Sequence, residues 1–435
     1  MNNKRFLGAA SAALMIVIAI LTVAPSTLAQ SKFKTLHKFT GGKDGGRPVA
    51  SLIFDAAGDL YGTTWGGGNS GCIGTVNCGV VFELTPSTDG SWKEKVLHRF
   101  TGGMDGANPA ANLIFDAAGS LYGTAELGGI ANCADFSKGC GTVFRLTPNA
   151  DGSWKETVID DFGTLNYGNE PAAGLIFDRA ANLYGTTIDG GTFICYQGCG
   201  VVFELTPSTD GTWTEEVLHN FNNSDDGVFP FAGLISDAAG NLYGTTQLAG
   251  AYNAGIVFEL TPSAGGSWSE SILYNFTGGK DGGEPFAGLT FDQAGNLYGT
   301  TAVAGNLKHC KQVFVSGCGV VFKLTPNAEG SWTESVLHVF TGGRDGGNPY
   351  AGLIFDQAGN LYGTTTSGGT HGYGVVFKLV PNTTGGWNET VLHAFADHLG
   401  ANPDASLIFD AFGNLYGTTA GDGTTTFGSV FEITP

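Results

Sequence analysis

The sequence predicts an all-β fold, a seven-bladed β-propeller of four-stranded blades closed by the N-terminal strand. Three observations predict it. Leu-Tyr-Gly-Thr recurs seven times, starting at Leu60, Leu121, Leu183, Leu242, Leu297, Leu361 and Leu415, with Tyr-to-Tyr steps of 61, 62, 59, 55, 64 and 54 residues. Self-similarity at such a period signals a propeller or solenoid array. Each unit holds four short β-rich runs bounded by turn residues, and no helical periodicity outlasts a turn. Finally, seven third runs face only six Trp-bearing fourth runs, and the missing one lies at the other end of the chain.

The first unit shows the elements in order. Ala50 to Asp55 is a short apolar strand, and the turn through Gly58 leads to Leu60-Tyr-Gly-Thr-Thr64. Gly near the end of such a connection supplies the positive φ a tight hairpin needs. Gly58, Gly119, Gly240, Gly295, Gly359 and Gly413 fill that place, and Ala181 stands there in the third unit, where strain is expected. A variable loop precedes the third strand, Gly79 to Thr85, which Pro86 stops. The fourth strand, Trp92 to Phe100, alternates polar and apolar residues. A Gly-rich connection to Pro109 then returns to the next unit.

The expected blades span about 50–100, 111–162, 173–221, 232–276, 287–340, 351–395, and 405–435 with 32–39. Phe33 to Phe39 aligns with the end of the first fourth strand, Val96 to Phe100, so it is expected beside Phe431. That pairing removes the open edge of an unclosed ring.

Lys4 and Arg5, an uncharged stretch from Phe6 to Ala24, and the small residues Thr27 and Ala29 three and one before a cut after Ala29 read as a signal peptide over residues 1–29. An uncleaved anchor is the alternative. A secreted or periplasmic monomer is expected, with no membrane association beyond that segment. The net charge of −19 disfavours nucleic acid.

Eight cysteines form four local pairs, Cys72/Cys78, Cys133/Cys140, Cys195/Cys199 and Cys310/Cys318, all between second and third strands. An even number at one topological place in an exported chain reads as four disulfides. Zinc is the weaker reading, because each blade offers two cysteines and His309 is the one nearby imidazole.

The pattern Gly-Leu-Ile-Phe-Asp-x-x-Gly-Asn-Leu-Tyr-Gly-Thr-Thr, then Gly-Val-Val-Phe-x-Leu-Thr-Pro, at Gly352–Thr365 and Gly374–Pro381, resembles the GloVer tandem repeat of secreted bacterial proteins. The resemblance covers nearly the whole chain after the leader and implies no assigned activity. It also implies a C-terminal anchoring segment. This chain stops at Pro435 instead, so free export is expected over sorted display.

Repeated residues are expected to be structural. His37, His98, His219, His338 and His393 share a fourth-strand slot with Asp160 and Tyr274, which points to packing. The turns at Ser87–Trp92 and Ser208–Trp213 are similar to the Asp-box of sialidase-like propellers. The arginine triad of that chemistry cannot be assembled from Arg47, Arg99, Arg145, Arg179 and Arg344. The Gly-Gly-x-Asp-Gly loops read as Asp-Gly turns; no cofactor is expected, and calcium at one or two of these loops is the alternative.

Function is sought in the departures. The residue after the loop proline is Val49, Ala110 and Ala172 in blades 1 to 3, Phe231, Phe286 and Tyr350 in blades 4 to 6, and Asp404 in blade 7. With Phe229, the aromatics predict a one-sided platform at the channel mouth for a glycan or protein. Acidic residues expected near the mouth are Asp44, Asp105, Glu170, Asp226, Asp281, Glu284, Asp345 and Asp404. No catalytic residue is assigned. A non-catalytic binder is expected, with a glycosidase or lyase, or a purely structural envelope protein, as alternatives.

Overall fold

The computed structural model describes residues 31–435 apart from 69–71, 73–77, 130–138, 164–167, 193–194, 196–197, 223–224, 309, 311–315, 397–400 and 423–424. The proposed leader, Cys133 and His309 lie outside the described residues.

The described chain forms seven four-stranded antiparallel sheets. In the first, Ile53–Phe54, Leu60–Thr64, Val80–Pro86 and Trp92–Arg99 pair in sequence order. The seventh sheet joins Lys32–Lys38 to Ser429–Thr434, so the N-terminal strand completes the last blade. The match extends to an irregularity. In six blades the register slips between third and fourth strands, as where Val81 faces His98 but Phe82 faces Val96. The N-terminal strand repeats the slip, with His37 opposite Val430 and Thr35 opposite Phe431. This bulge aims the His slot toward the loop face.

Seven equivalent hydrogen bonds join the blades. The Thr of each Leu-Tyr-Gly-Thr set donates across the interface. Thr63 Oγ1 donates to Ala111 O at 3.1 Å, and Thr418 Oγ1 donates to Ala50 O at 3.1 Å, which closes the ring. The acceptor belongs to a Pro-x-Ala segment present in every blade, and each such Ala is buried.

Packing explains why the signature reads Tyr-Gly. The Tyr ring meets a Trp of the next blade, as for Tyr61 with Trp154 and Tyr416 with Trp92. The Gly lies beneath a third-strand Phe, because a Cβ on Gly62 would come 2.7 Å from Phe82 Cζ. That Phe is fully buried and receives the terminal Phe of the preceding blade's fourth strand. A shared interface between every two blades therefore replaces a central core. Ala181 takes φ 67°, the left-handed geometry its glycine counterparts adopt freely.

Candidate functional site

The loop face is built from seven incoming segments, and the residue before each proline is left-handed. Arg47, Asn108, Glu170, Phe229, Glu284, Asn348 and Asn402 have φ between 53° and 59°. Two backbone hydrogen bonds impose this. Asn108 N–H donates to Cys78 O of the preceding blade at 2.8 Å, and its carbonyl accepts from Glu126 N–H at 3.3 Å. Asn tolerates the geometry; Arg, Glu and Phe do so at a cost of roughly 1–2 kcal/mol each. The strain is thus held at one ring of positions, the kind of place where binding sites gather.

Just inside this ring lies the channel mouth, a cavity of about 150 Å³ lined by all seven segments. Below the mouth the segments close in. A Cβ on Gly233 would stand 3.3 Å from Gly174 O, and one on Gly288 3.4 Å from Gly233 O. A typical enclosed ligand pocket is about 300–1,000 Å³, so a ligand here lies across the mouth.

The structure brings three of the expected aromatics together. Phe231 and Phe286 have ring centroids 5.2 Å apart, and Phe286 and Tyr350 4.9 Å. Phe286 and Tyr350 also rest on Ala302, Val303 and Ala304, so the rings fill one side of the mouth and keep part of their faces open. Phe229 goes elsewhere: it packs against the core containing Cys199, Phe221 and Val228. Its left-handed backbone turns it away from the channel-lining residue two positions later.

Asp404 lines the channel in the blade after Tyr350. Loss of hydration pushes its carboxyl up to about 7, against the pull of Arg47. Burial raises the Tyr350 hydroxyl, and the charges of Glu284 and Asp404 raise it further.

The opposite side is polar, and the sequence reading missed its centre. The Arg47 guanidinium lies 4.6 Å over the Trp65 ring. Trp65 Nε1–H donates to Glu126 Oε2 at 2.8 Å. Burial pushes the Glu126 carboxyl up to about 7, and Glu170 adds to this; the Trp65 hydrogen bond and Arg47 oppose it. Burial, then Glu170, raises Asp189 to about 7 as well. A signal was present: six of the seven Trp residues occupy the fourth-strand slot, and Trp65 is the seventh.

Of the eight acidic residues expected near the mouth, five are turned outward between blades. Asp44, Asp105, Asp281 and Asp345 accept the backbone N–H of Thr40, Thr101, Thr277 and Thr341, which pins their own loops. Asp226 stands beside His219. Glu170, Glu284 and Asp404 remain with the mouth, joined by Glu126.

The cysteine pairs Cys72–Cys78, Cys195–Cys199 and Cys310–Cys318 are disulfides that cross-link loops on this same face. Cys140 is disulfide-bonded too.

Larger cavities of about 540, 680 and 580 Å³ lie on the opposite face, between neighbouring first-to-second-strand hairpins. Their walls are mostly repeat residues, with Arg179, Gln293, Gln357 and Phe412 varying between blades, and the repeated Tyr hydroxyls are paired with Asp. Tyr298 Oη donates to Asp292 Oδ2 at 3.0 Å, and Tyr362 Oη donates to Asp356 Oδ2 at 2.9 Å. The volumes favour the hairpin face, whereas the mouth combines three packed aromatic rings with the Arg47, Trp65 and Glu126 cluster.

Residues 22–134, 131–314 and 308–435 match one family model, the Gloeobacter/Verrucomicrobia repeat. No curated protein matches the chain.

Proposed function

The chain belongs to the Gloeobacter/Verrucomicrobia repeat family, and from that premise we propose a non-catalytic, exported repeat protein that binds a polysaccharide across the channel mouth. One observation carries this reading. Positions around the mouth vary from blade to blade while their immediate neighbours repeat. Pro-x-Ala is constant, yet its middle residue runs from Ala to Tyr to Asp, and the residue after the second strand runs from Ala to Glu to Trp. Selection for folding alone acts equally on all seven blades. The variable set combines aromatic faces with a few polar anchors, the pairing that sugar rings and their hydroxyls use. The disulfides fit an oxidising compartment outside the cytoplasm.

The test is a glycan and envelope-polysaccharide panel probed with the disulfide-intact protein and with a Phe231→Ala, Phe286→Ala, Tyr350→Ala triple variant. Binding that falls at least tenfold in the triple variant supports the reading. Binding that is unchanged removes the aromatic platform from it. A carbohydrate-active enzyme is the second reading, favoured by two carboxyls, Glu126 and Asp404, both pushed up to about 7 around Arg47. Shortened products from a bound polysaccharide would move the assignment to that class.

A further inference from the structure

Away from the mouth, the fourth-strand His slot acquires partners that the sequence reading did not assign. The His of one blade meets an Asp seven residues later, and the next blade's fourth strand adds a Glu. At one interface the three converge. His219 Nε2 lies 3.5 Å from Asp226 Oδ2 and 3.9 Å from Glu270 Oε2. One ligand atom from each residue lies within 4.8 Å of the others. Bonds of about 2.0–2.2 Å to a tetrahedral ion place donor atoms roughly 3.3–3.6 Å apart, so little closing is needed.

Hydrogen bonding does not account for the cluster. His219 Nε2 and Glu270 Oε1 are buried without a hydrogen-bond partner, as are the equivalent atoms of His98, Glu156, His338 and Glu389, so convergence of the three donors is what sets this interface apart. Asp226, only 8% exposed, is oriented by the Asn222 N–H, which donates to Oδ1 at 3.3 Å and leaves Oδ2 toward the imidazole. Two carboxylates held at such a site call for a compensating cation.

The other interfaces are built-in controls. His98 and His338 stand 3.3 and 3.7 Å from Asp105 and Asp345. Among the described residues, however, only the His219 trio converges. Phe33 takes the Glu place at the closing interface, and its ring stacks on His393 at 3.9 Å. Where the carboxylate is lost, an apolar ring covers the imidazole.

We propose that His219, Asp226 and Glu270 bind one divalent transition-metal ion of the zinc class and so join two neighbouring blades. One imidazole nitrogen with two carboxylate oxygens suits zinc better than calcium, which takes six to eight oxygens. Three protein ligands leave a position for water or an external donor.

The test is equilibrium dialysis of the chelator-stripped, disulfide-intact protein against zinc chloride, with metal quantified per chain. One zinc per chain is expected, with affinity at least tenfold weaker in His219→Gln and in Glu270→Gln. His98→Gln should bind as the wild type does. No stoichiometric zinc, or equal binding by His219→Gln and Glu270→Gln, overturns the proposal. Should those variants misfold, the wild type still decides. Zinc should raise its thermal midpoint, and cobalt(II) should give a visible band without thiolate charge transfer. No thermal shift, or a strong thiolate band that moves the metal to cysteine, overturns it.

Discussion

Gly244→Ala tests why the repeated signature contains glycine. Gly244 carries no positive φ, so backbone strain does not enter. An added Cβ would stand 2.5 Å from Phe258 Cζ, 2.9 Å from Cε1 and 3.0 Å from Leu234 Cδ2. Carbon atoms pack best at about 3.5–4.0 Å, so the ring must retreat by roughly 1 Å. Phe258 is fully buried, with Phe221 edge-on at 5.3 Å, and has nowhere to go. Overpacking of a tight core costs about 1–3 kcal/mol, and the upper half of that range is expected here. Phe258→Leu alone should cost about 1–1.5 kcal/mol. In the double variant the clash is gone, so the two effects should fall short of additivity by at least 1 kcal/mol. Urea denaturation of all four proteins, followed by tryptophan fluorescence, measures the cycle. Additive losses, or a neutral Gly244→Ala, would refute the steric explanation of the signature.

Further outcomes follow from the same structure. Phe33→Ala removes the ring that stacks on His393 and lies near Phe431, and should cost about 2 kcal/mol at this half-buried site; urea melts check it, and a loss under 0.5 kcal/mol would argue against closure through Phe33. The Asp404 carboxyl is raised in the folded state, so its penalty is absent below its unfolded value near 4, grows between about 4 and 7, and is fully present above about 7. Asp404→Asn should therefore stabilise the protein by about 1–2 kcal/mol at pH 8 and by almost nothing at pH 4, read from denaturation at both values. Reduction of the loop disulfides should lower the thermal midpoint while far-ultraviolet circular dichroism stays β-rich at 25 °C, because the cross-links lie in loops rather than in the sheets. Loss of the β signal on reduction would contradict that placement.

Most of the fold was legible because each blade must solve one packing problem seven times. Tyr61, Gly62 and Phe82 answer to the same neighbours as Tyr243, Gly244 and Phe258, so period and residue type expose strand order directly. The N-terminal complement was legible for the same reason, since Phe33 to Phe39 carries the fourth-strand pattern without its Trp. The mouth was only half legible. Phe231, Phe286 and Tyr350 stand out within one column and do meet. Phe229 shares their composition, but its backbone bonds turn it into a blade core. Trp65 and Glu126 stand in a column that has no constant residue, so no pattern marked them as partners. The His219 cluster was hidden more deeply. Glu270 lies 51 residues beyond His219, and only the bulged register of adjacent fourth strands brings them within reach.

The most direct test sets one face of the ring against the other. A polysaccharide bound by the wild type should be titrated by calorimetry into Trp65→Ala, at the mouth, and Arg179→Ala, at a hairpin-face groove. The account predicts at least a tenfold loss of affinity in Trp65→Ala and wild-type affinity in Arg179→Ala. The reverse pattern would contradict it and place recognition in the grooves between the hairpins.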